Sequence, residues 1–161
     1  MAKPPPERLL LQTYPWTRAV EPRFGDMDAL RHLNNVAIAR LYEDGRVRFT
    51  DQSGLRGALE RGHGLVVAEV AIQYLAEGGY PDPLTIGCGV GHVGSSAFVI
   101  GQGLFQNGCC IGTAETTLVH VNRYEGGSRP LADAAHRLLA HHQFRSAAVA
   151  APDSSTEKPH A

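Results

Sequence analysis

The balance of element types constrains this chain most. One stretch, Asn35 to about Thr50, carries helical periodicity, while five stretches carry strand character. In the helix Ile38, Leu41, Tyr42, Gly45 and Phe49 fall on one face, at i, i+3, i+4, i+7 and i+11. Arg40, Asp44 and Arg48 lie opposite, with Asp44 four residues ahead of Arg48 in the favourable orientation. Ala37, Ala39 and Gly45 keep the helix slim, so a sheet can approach it closely. A single helix cannot cover both faces of a five-stranded sheet. The pattern predicts an α+β domain whose antiparallel sheet wraps around the helix.

The first strand falls within Thr13 to Phe24, where Tyr14, Trp16, Val20 and Phe24 alternate with polar residues. Pro15 and Pro22 lack a ladder N–H and place it at an edge or interrupt it. Gln52 to His63 reads as a loop with room for one helical turn. Gly64 to Glu77 alternates, putting Val66, Ala68, Val70, Ile72 and Tyr74 on one face. A Gly/Pro-rich turn over residues 78–83 follows. Leu84–Val93, Ser96–Phe105 and Cys109–Asn122 complete the sheet, the last two joined by an Asn107-Gly108 hairpin turn. Arg129 to Gln143 predicts a short final helix with Leu131, Ala135, Leu138 and His142 on one face. Pro-rich residues 1–12 predict a flexible start, 13–145 the domain, and 146–161 a disordered polar tail.

Several function classes are disfavoured. A formal net charge of −1 gives no electrostatic case for nucleic acid or an anionic membrane. No apolar run approaches the roughly 18 residues of a membrane span, and Met1 to Arg8 does not read as a signal peptide. A cytoplasmic protein is the expectation. The three cysteines, Cys88, Cys109 and Cys110, are odd in number and partly adjacent, which predicts buried reduced thiols rather than a disulfide framework. The eight histidines include no H-E-x-x-H, so no metal is expected; His141-His142 sits near a helix C-terminus, where cations are favoured. Gly89-x-Gly91-x-x-Gly94 matches a dinucleotide fingerprint, but strand-like residues follow it instead of the helix that fingerprint requires. It reads as a hairpin turn. Without a G-x-S-x-G elbow, a serine triad is not expected either.

The chemistry concentrates between Phe24 and Asn35: Phe24-Gly25-Asp26-Met27-Asp28, then His32-Leu33-Asn34-Asn35, then a helix carrying Leu41-Tyr42-Glu43-Asp44-Gly45-Arg46. Asn34 or Asn35 is a natural N-cap. The positive end of the helix therefore lies beside two aspartates, and its free N–H groups could hold a carbonyl oxygen near an attacking group.

This stretch resembles the hotdog-fold thioesterases of the 4-hydroxybenzoyl-CoA thioesterase type. Their signature runs roughly F-x-D-x-D-x-x-G-H-V-N-N, followed by a helix with E-x-A-R. The resemblance is close from Arg23 to about Arg48 and looser to about Arg123, and Arg31 stands where the family usually has glycine. It implies a hotdog fold and an acyl-CoA thioesterase. The thioester carbonyl would rest on the Asn35 backbone N–H, and Asp28 would act as nucleophile or general base. Asp26 remains structural, and His32 either positions the site or serves the loop. Glu43 forms a structural pair with Arg46 or acts as a helix-borne catalytic carboxylate. The substrate is an acyl-CoA or an acyl carrier protein thioester, and CoA enters only as part of it; no other cofactor is expected. Carrier contacts fall to His92, Gly94, Ser95 and Ser96, in the turn between the middle strands, with Arg123 as another nearby cation. That turn carries no Arg or Lys, so weak salt dependence of substrate binding is expected. Tyr14, Trp16, Tyr42 and Tyr74 line an aromatic acyl pocket or fill the core. The resemblance also implies a homodimer or homotetramer with sites at subunit interfaces. Two rivals stand beside this reading. One is a hotdog enoyl-CoA hydratase, disfavoured because no histidine follows an aspartate by five residues here; the other is a non-catalytic acyl-CoA-binding hotdog protein.

Overall fold

The computed structural model describes residues 3–147. Its main elements are β1 (Trp16–Val20), α1 (Asn35–Gln52), β2 (His63–Tyr74), β3 (Leu84–Val93), β4 (Ala97–Gln106), β5 (Cys109–Asn122) and α2 (Asp133–His141). The strands form one sheet in the order β1-β3-β4-β5-β2, every neighbouring pair antiparallel. This is the expected α+β hotdog arrangement, with the sheet curved around α1.

The apolar stripe of α1 explains its place. Ile38, Leu41, Tyr42 and Phe49 are all buried, and they pack on Leu84, Ile86, Cys88, Val90, Leu104 and Ile100 of β3 and β4. Gly45 sets the approach: a Cβ there would fall 2.5 Å from Ile86 Cδ1. On the opposite face, Arg48 Nε donates to Asp44 at 2.8 Å, the pair expected from spacing.

Four expectations are corrected. β1 spans only five residues, bracketed by Pro15 and Pro22. β2 does not bury the expected face: Val66, Val70 and Tyr74 are 45–49% exposed. It is an edge strand paired only with β5, and a bulge between Val67 and Glu69 breaks its alternation. The final helix is shorter than expected, and Leu139 rather than Leu138 joins Ala135 in the core, because i+4 continues that face. Only Cys88 is a buried thiol, pushed up to about 12 by desolvation; Cys110 is half-buried and Cys109 lies exposed beside the hairpin turn.

The outer face of the sheet is covered by the two ends of the described chain. Residues 6–13, placed ahead of the ordered part by composition, form two short 3-10 turns. Tyr14 Oη donates to the Arg8 carbonyl at 2.7 Å, and the Arg8 guanidinium lies 3.3 Å over the Phe144 ring. Small residues make the trough for these side chains: a Cβ on Gly87 would stand 2.6 Å from the Tyr14 ring. Of the expected C-terminal tail, residues 148–161 lie outside the described residues. The Gly89/Gly91/Gly94 pattern runs through β3 into a strand-to-strand turn, as the sequence predicts.

Candidate active site

The loop between β1 and α1 is built almost wholly by local contacts. Asp26 is buried; its carboxylate accepts from Arg40 of α1 and from the Arg23 N–H at 2.9 Å, while its carbonyl accepts from the Asn34 N–H at 2.9 Å. Asp26 thereby ties the loop to the helix. Arg40, which periodicity alone placed on the outer face, was missed as its partner. Sequence separation of fourteen residues gave no signal for that pair.

Asp28 is exposed in the same loop. Its Oδ1 accepts from the N–H groups of Leu30 at 2.8 Å and His32 at 3.0 Å. The backbone closes the turn with Asp28 N–H donating to the His32 carbonyl at 2.8 Å, and Arg31 sits at φ 64° inside it. One carboxylate oxygen is thus fixed, while Oδ2 accepts no protein hydrogen bond among the described residues. Asn34, not Asn35, is the N-cap: its Oδ1 accepts from Ala37 N–H at 2.7 Å, and its carbonyl from Ile38 N–H at 3.1 Å. The N–H groups of Asn35 and Val36 remain as the orphan donors of the helix start. Asp26, Asp28, Asn34, Asn35, Val36 and Arg40 border one open depression of about 530 Å³.

The structure brings Asp28 and Asn35 together but sends the His32 ring elsewhere. His32 Nε2 meets Glu77 at 3.1 Å, so only its backbone serves Asp28. The expected Glu43–Arg46 pair does not form. Arg46 turns inward, 8% exposed, and donates to Thr116 Oγ1 at 3.3 Å, while Glu43 is exposed. Desolvation lowers the Arg46 pKa, and Glu43 acts on it in the opposite sense at a distance.

The expected carrier residues lie apart from Asp28 in this chain. The loop follows the Val20 end of β1, which pairs with Leu84, whereas His92, Gly94, Ser95 and Ser96 lie at the other end of β3. Ten residues of strand separate the two ends, about 30 Å at roughly 3.3 Å per residue. Part of the turn's backbone is engaged within the fold: Ser95 O accepts from Leu131 N–H at 2.7 Å, Ser96 O from His120 N–H at 2.8 Å, and Gly94 N–H donates to Ala97 O at 2.7 Å. Nor do the four aromatic candidates share one pocket. Tyr14 lies under the outer face, Tyr42 is buried between α1 and the sheet, Trp16 donates to Gln52, and Tyr74 is exposed at the end of β2. Phe24, in the loop that leads to Asp28, packs edge to face against Tyr80 at 5.9 Å.

A second concavity lies between α1 and the β2 edge, with a volume near 640 Å³. Glu43, Arg46, Thr50, Arg61, His63 and Arg123 contribute to it. Among the described residues no cluster of His, Cys, Asp or Glu is placed to hold a metal, and no helix is long and apolar enough to cross a membrane.

Comparison with known proteins agrees with the fold. A protein from Pseudomonas aeruginosa strain PAO1 superposes with a TM-score of 0.73 at 20% identity, over 84% of this chain and 96% of that one. A thioesterase-superfamily protein from Jannaschia sp. CCS1 gives 0.73 at 25% identity, over 80% and 83%. A 1,4-dihydroxy-2-naphthoyl-CoA thioesterase from Synechocystis gives 0.67 at 14% identity, over 77% and 94%. No curated protein matches the chain. The family model described as the thioesterase-like superfamily matches residues 22–154, and the chain belongs to that superfamily.

Proposed function

We propose that the protein hydrolyses an acyl-CoA thioester to a carboxylic acid and free CoA. The observation that carries this reading is the Asp28 carboxylate, pinned through Oδ1 by two backbone N–H groups beside the free donors of Asn35 and Val36. A thioester carbonyl resting on those donors gains stabilisation as negative charge develops on its oxygen. Asp28 Oδ2 then takes a proton from water as the water oxygen attacks, or attacks the carbonyl itself. In either route the C–S bond breaks, CoA leaves as the thiolate or thiol, and water supplies the new oxygen. Only the CoA moiety of the substrate is required as a non-protein group. His32 supports the loop through its backbone.

The working unit we propose is a homodimer paired through β2. The exposed edge of that strand carries Val66, Val67, Val70 and Tyr74, an unpaired apolar ladder of the kind stable monomers avoid. Antiparallel pairing about the middle of β2 sets the His63 end of one copy beside the Tyr74 end of the other. That second end adjoins the start of α1, because Leu33 N–H donates to the Gly78 carbonyl at 2.8 Å. Each Asp28 loop then faces the neighbouring copy's concavity between α1 and β2.

The deciding experiment is release of free thiol from a panel of aliphatic and aromatic acyl-CoAs. Turnover on at least one is expected. Tight acyl-CoA binding with no thiol release across the panel would instead make the protein a non-catalytic binder. Hydration of an enoyl-CoA without hydrolysis would reassign it as a lyase.

A further inference from the structure

The concavity between α1 and β2 is rich in arginine. Four arginines line it, Arg46, Arg56, Arg61 and Arg123, against the two acids Glu43 and Glu60. Arg56 is occupied by Asp51 at 2.8 Å. Arg46, Arg61 and Arg123 make no ion pair among the described residues. Arg61 and Arg123 stand exposed at the rim, with the Arg123 stem laid over Gly64.

Arg46 is the informative member. It is more than nine-tenths buried, its one hydrogen bond goes to a neutral threonine hydroxyl, and no carboxylate contacts it. A buried guanidinium with no carboxylate in contact, and only the Glu43 charge acting from a distance, is costly to desolvate, and an anion bound in the groove offsets that cost. Three guanidinium groups without an ion pair, from three separate segments, α1, the approach to β2 and the exit of β5, outnumber the two acids that share the groove. They suit a multiply charged phosphate ligand, since guanidinium binds phosphate through paired N–H donors. The volume is that of an ordinary small-molecule site.

We propose that this concavity holds the phosphate groups of the substrate's CoA. Arg61 and Arg123 grip them at the rim and Arg46 from the floor, while the Asp28 loop of the second copy meets the thioester end. The inference rests on the thioesterase reading and on β2 pairing. It moves carrier recognition away from the Gly94-Ser95-Ser96 turn, and it replaces weak salt dependence with steep dependence.

The test is calorimetric binding of adenosine 3′,5′-bisphosphate, which carries CoA phosphate groups but no thioester. The unaltered protein should bind it, and binding should weaken several-fold as ionic strength rises from 50 to 300 mM. Arg61→Ala and Arg123→Ala should each weaken it on the order of tenfold. Arg46→Lys, which keeps the charge and loses the fork, should weaken it measurably; if that variant fails to fold, the two rim variants still decide. Failure of the unaltered protein to bind the bisphosphate overturns the proposal. So does weakening by Ser96→Ala while Arg61→Ala and Arg123→Ala bind normally. The hydrolysis reading fails separately: a protein that binds the bisphosphate through these arginines yet releases no thiol keeps the groove and loses the reaction. One that releases thiol with an unchanged Michaelis constant for acyl-CoA in both rim variants keeps the reaction and loses the groove.

Discussion

The two ends of α1 gather their functional groups by opposite routes. At its start, Asp28, Asn34 and Asn35 lie within eight residues of sequence, and the loop that aims them closes through its own backbone. Along its second half, Arg46, Arg61 and Arg123 come from a helix, a loop and a strand exit, and only the folded sheet makes them neighbours. The first arrangement is written locally and survives small changes elsewhere. The second depends on the exposed β2 edge being where the fold puts it. Chemistry that needs sub-ångström aim suits the first kind of site, and diffuse charge recognition suits the second.

The largest expected effect breaks the start of the helix. Asp28→Asn keeps the shape and the two backbone bonds to Oδ1 but removes both nucleophile and base. The catalytic rate should fall roughly a thousandfold or more, with folding and dimerisation intact. The parallel Glu43→Gln change should leave most of the rate, because Glu43 makes no ion pair among the described residues and lines a different concavity from Asp28 in its own chain. Near-normal turnover in Asp28→Asn with loss in Glu43→Gln would reverse the assignment and move the chemistry into the groove.

The next effect attacks the element on which the second half depends. Val66→Lys with Val70→Lys puts charges on the exposed ladder of β2, the device by which edge strands refuse partners. Light scattering should then report the 17.3 kDa monomer. Turnover should drop by about tenfold or more, because each site would lose the groove opposite its loop. A fully active monomer would sink the interfacial site.

How much of this could be read from the chain follows the same division. The helix, β3 and β5 were legible because their apolar spacing is regular and their packing confirms it. The cap, the aspartates and the turn between them were legible because they interact at short range. β2 was misread because the alternation in its sequence does not survive in the strand: a bulge between Val67 and Glu69 interrupts it, and the strand lies at the sheet edge, where its apolar residues stay exposed. Arg46 was assigned to Glu43 because i, i+3 spacing permits the pair; the floor of the sheet, with Thr116, took it instead. Nothing local distinguishes those outcomes. The Arg61–Arg123 rim and the Arg40–Asp26 tie link positions 62 and 14 residues apart, which no periodicity encodes.

A smaller effect tests how firmly the start of the helix is held. Arg40→Met leaves the buried Asp26 carboxylate with only the Arg23 N–H. Asp26 is nearly covered while Arg40 is half exposed, so screening moderates the loss to about 1–2 kcal/mol. That corresponds to a fall of roughly 3–6 °C in Tm for a domain of this size. Activity should fall less than in Asp28→Asn, since the Oδ1 bonds that aim Asp28 do not pass through Arg40. An unchanged Tm would mean that the helix cap and the Asp26 backbone contact hold the loop without the ion pair.

The smallest effect should be favourable. Arg31 holds φ 64°, a left-handed conformation that costs a side-chain-bearing residue roughly 1–2 kcal/mol. The turn nevertheless closes, with Arg31 N–H donating to the Asp28 carbonyl at 3.0 Å and Asp28 N–H to the His32 carbonyl. Arg31→Gly removes the strain but gives the unfolded chain more freedom, a penalty of about 0.5–1 kcal/mol. The net should be a gain of a few tenths to about 1 kcal/mol, read as a small rise in Tm. The Arg31 side chain makes no ion pair among the described residues, so no ion pair is given up. The rate should stay within about twofold, since the turn that aims Asp28 is the same turn with less strain in it. A drop in Tm would show that the Arg31 side chain contributes more than its backbone costs, and the start of the helix would then be less self-sufficient than its hydrogen bonds imply.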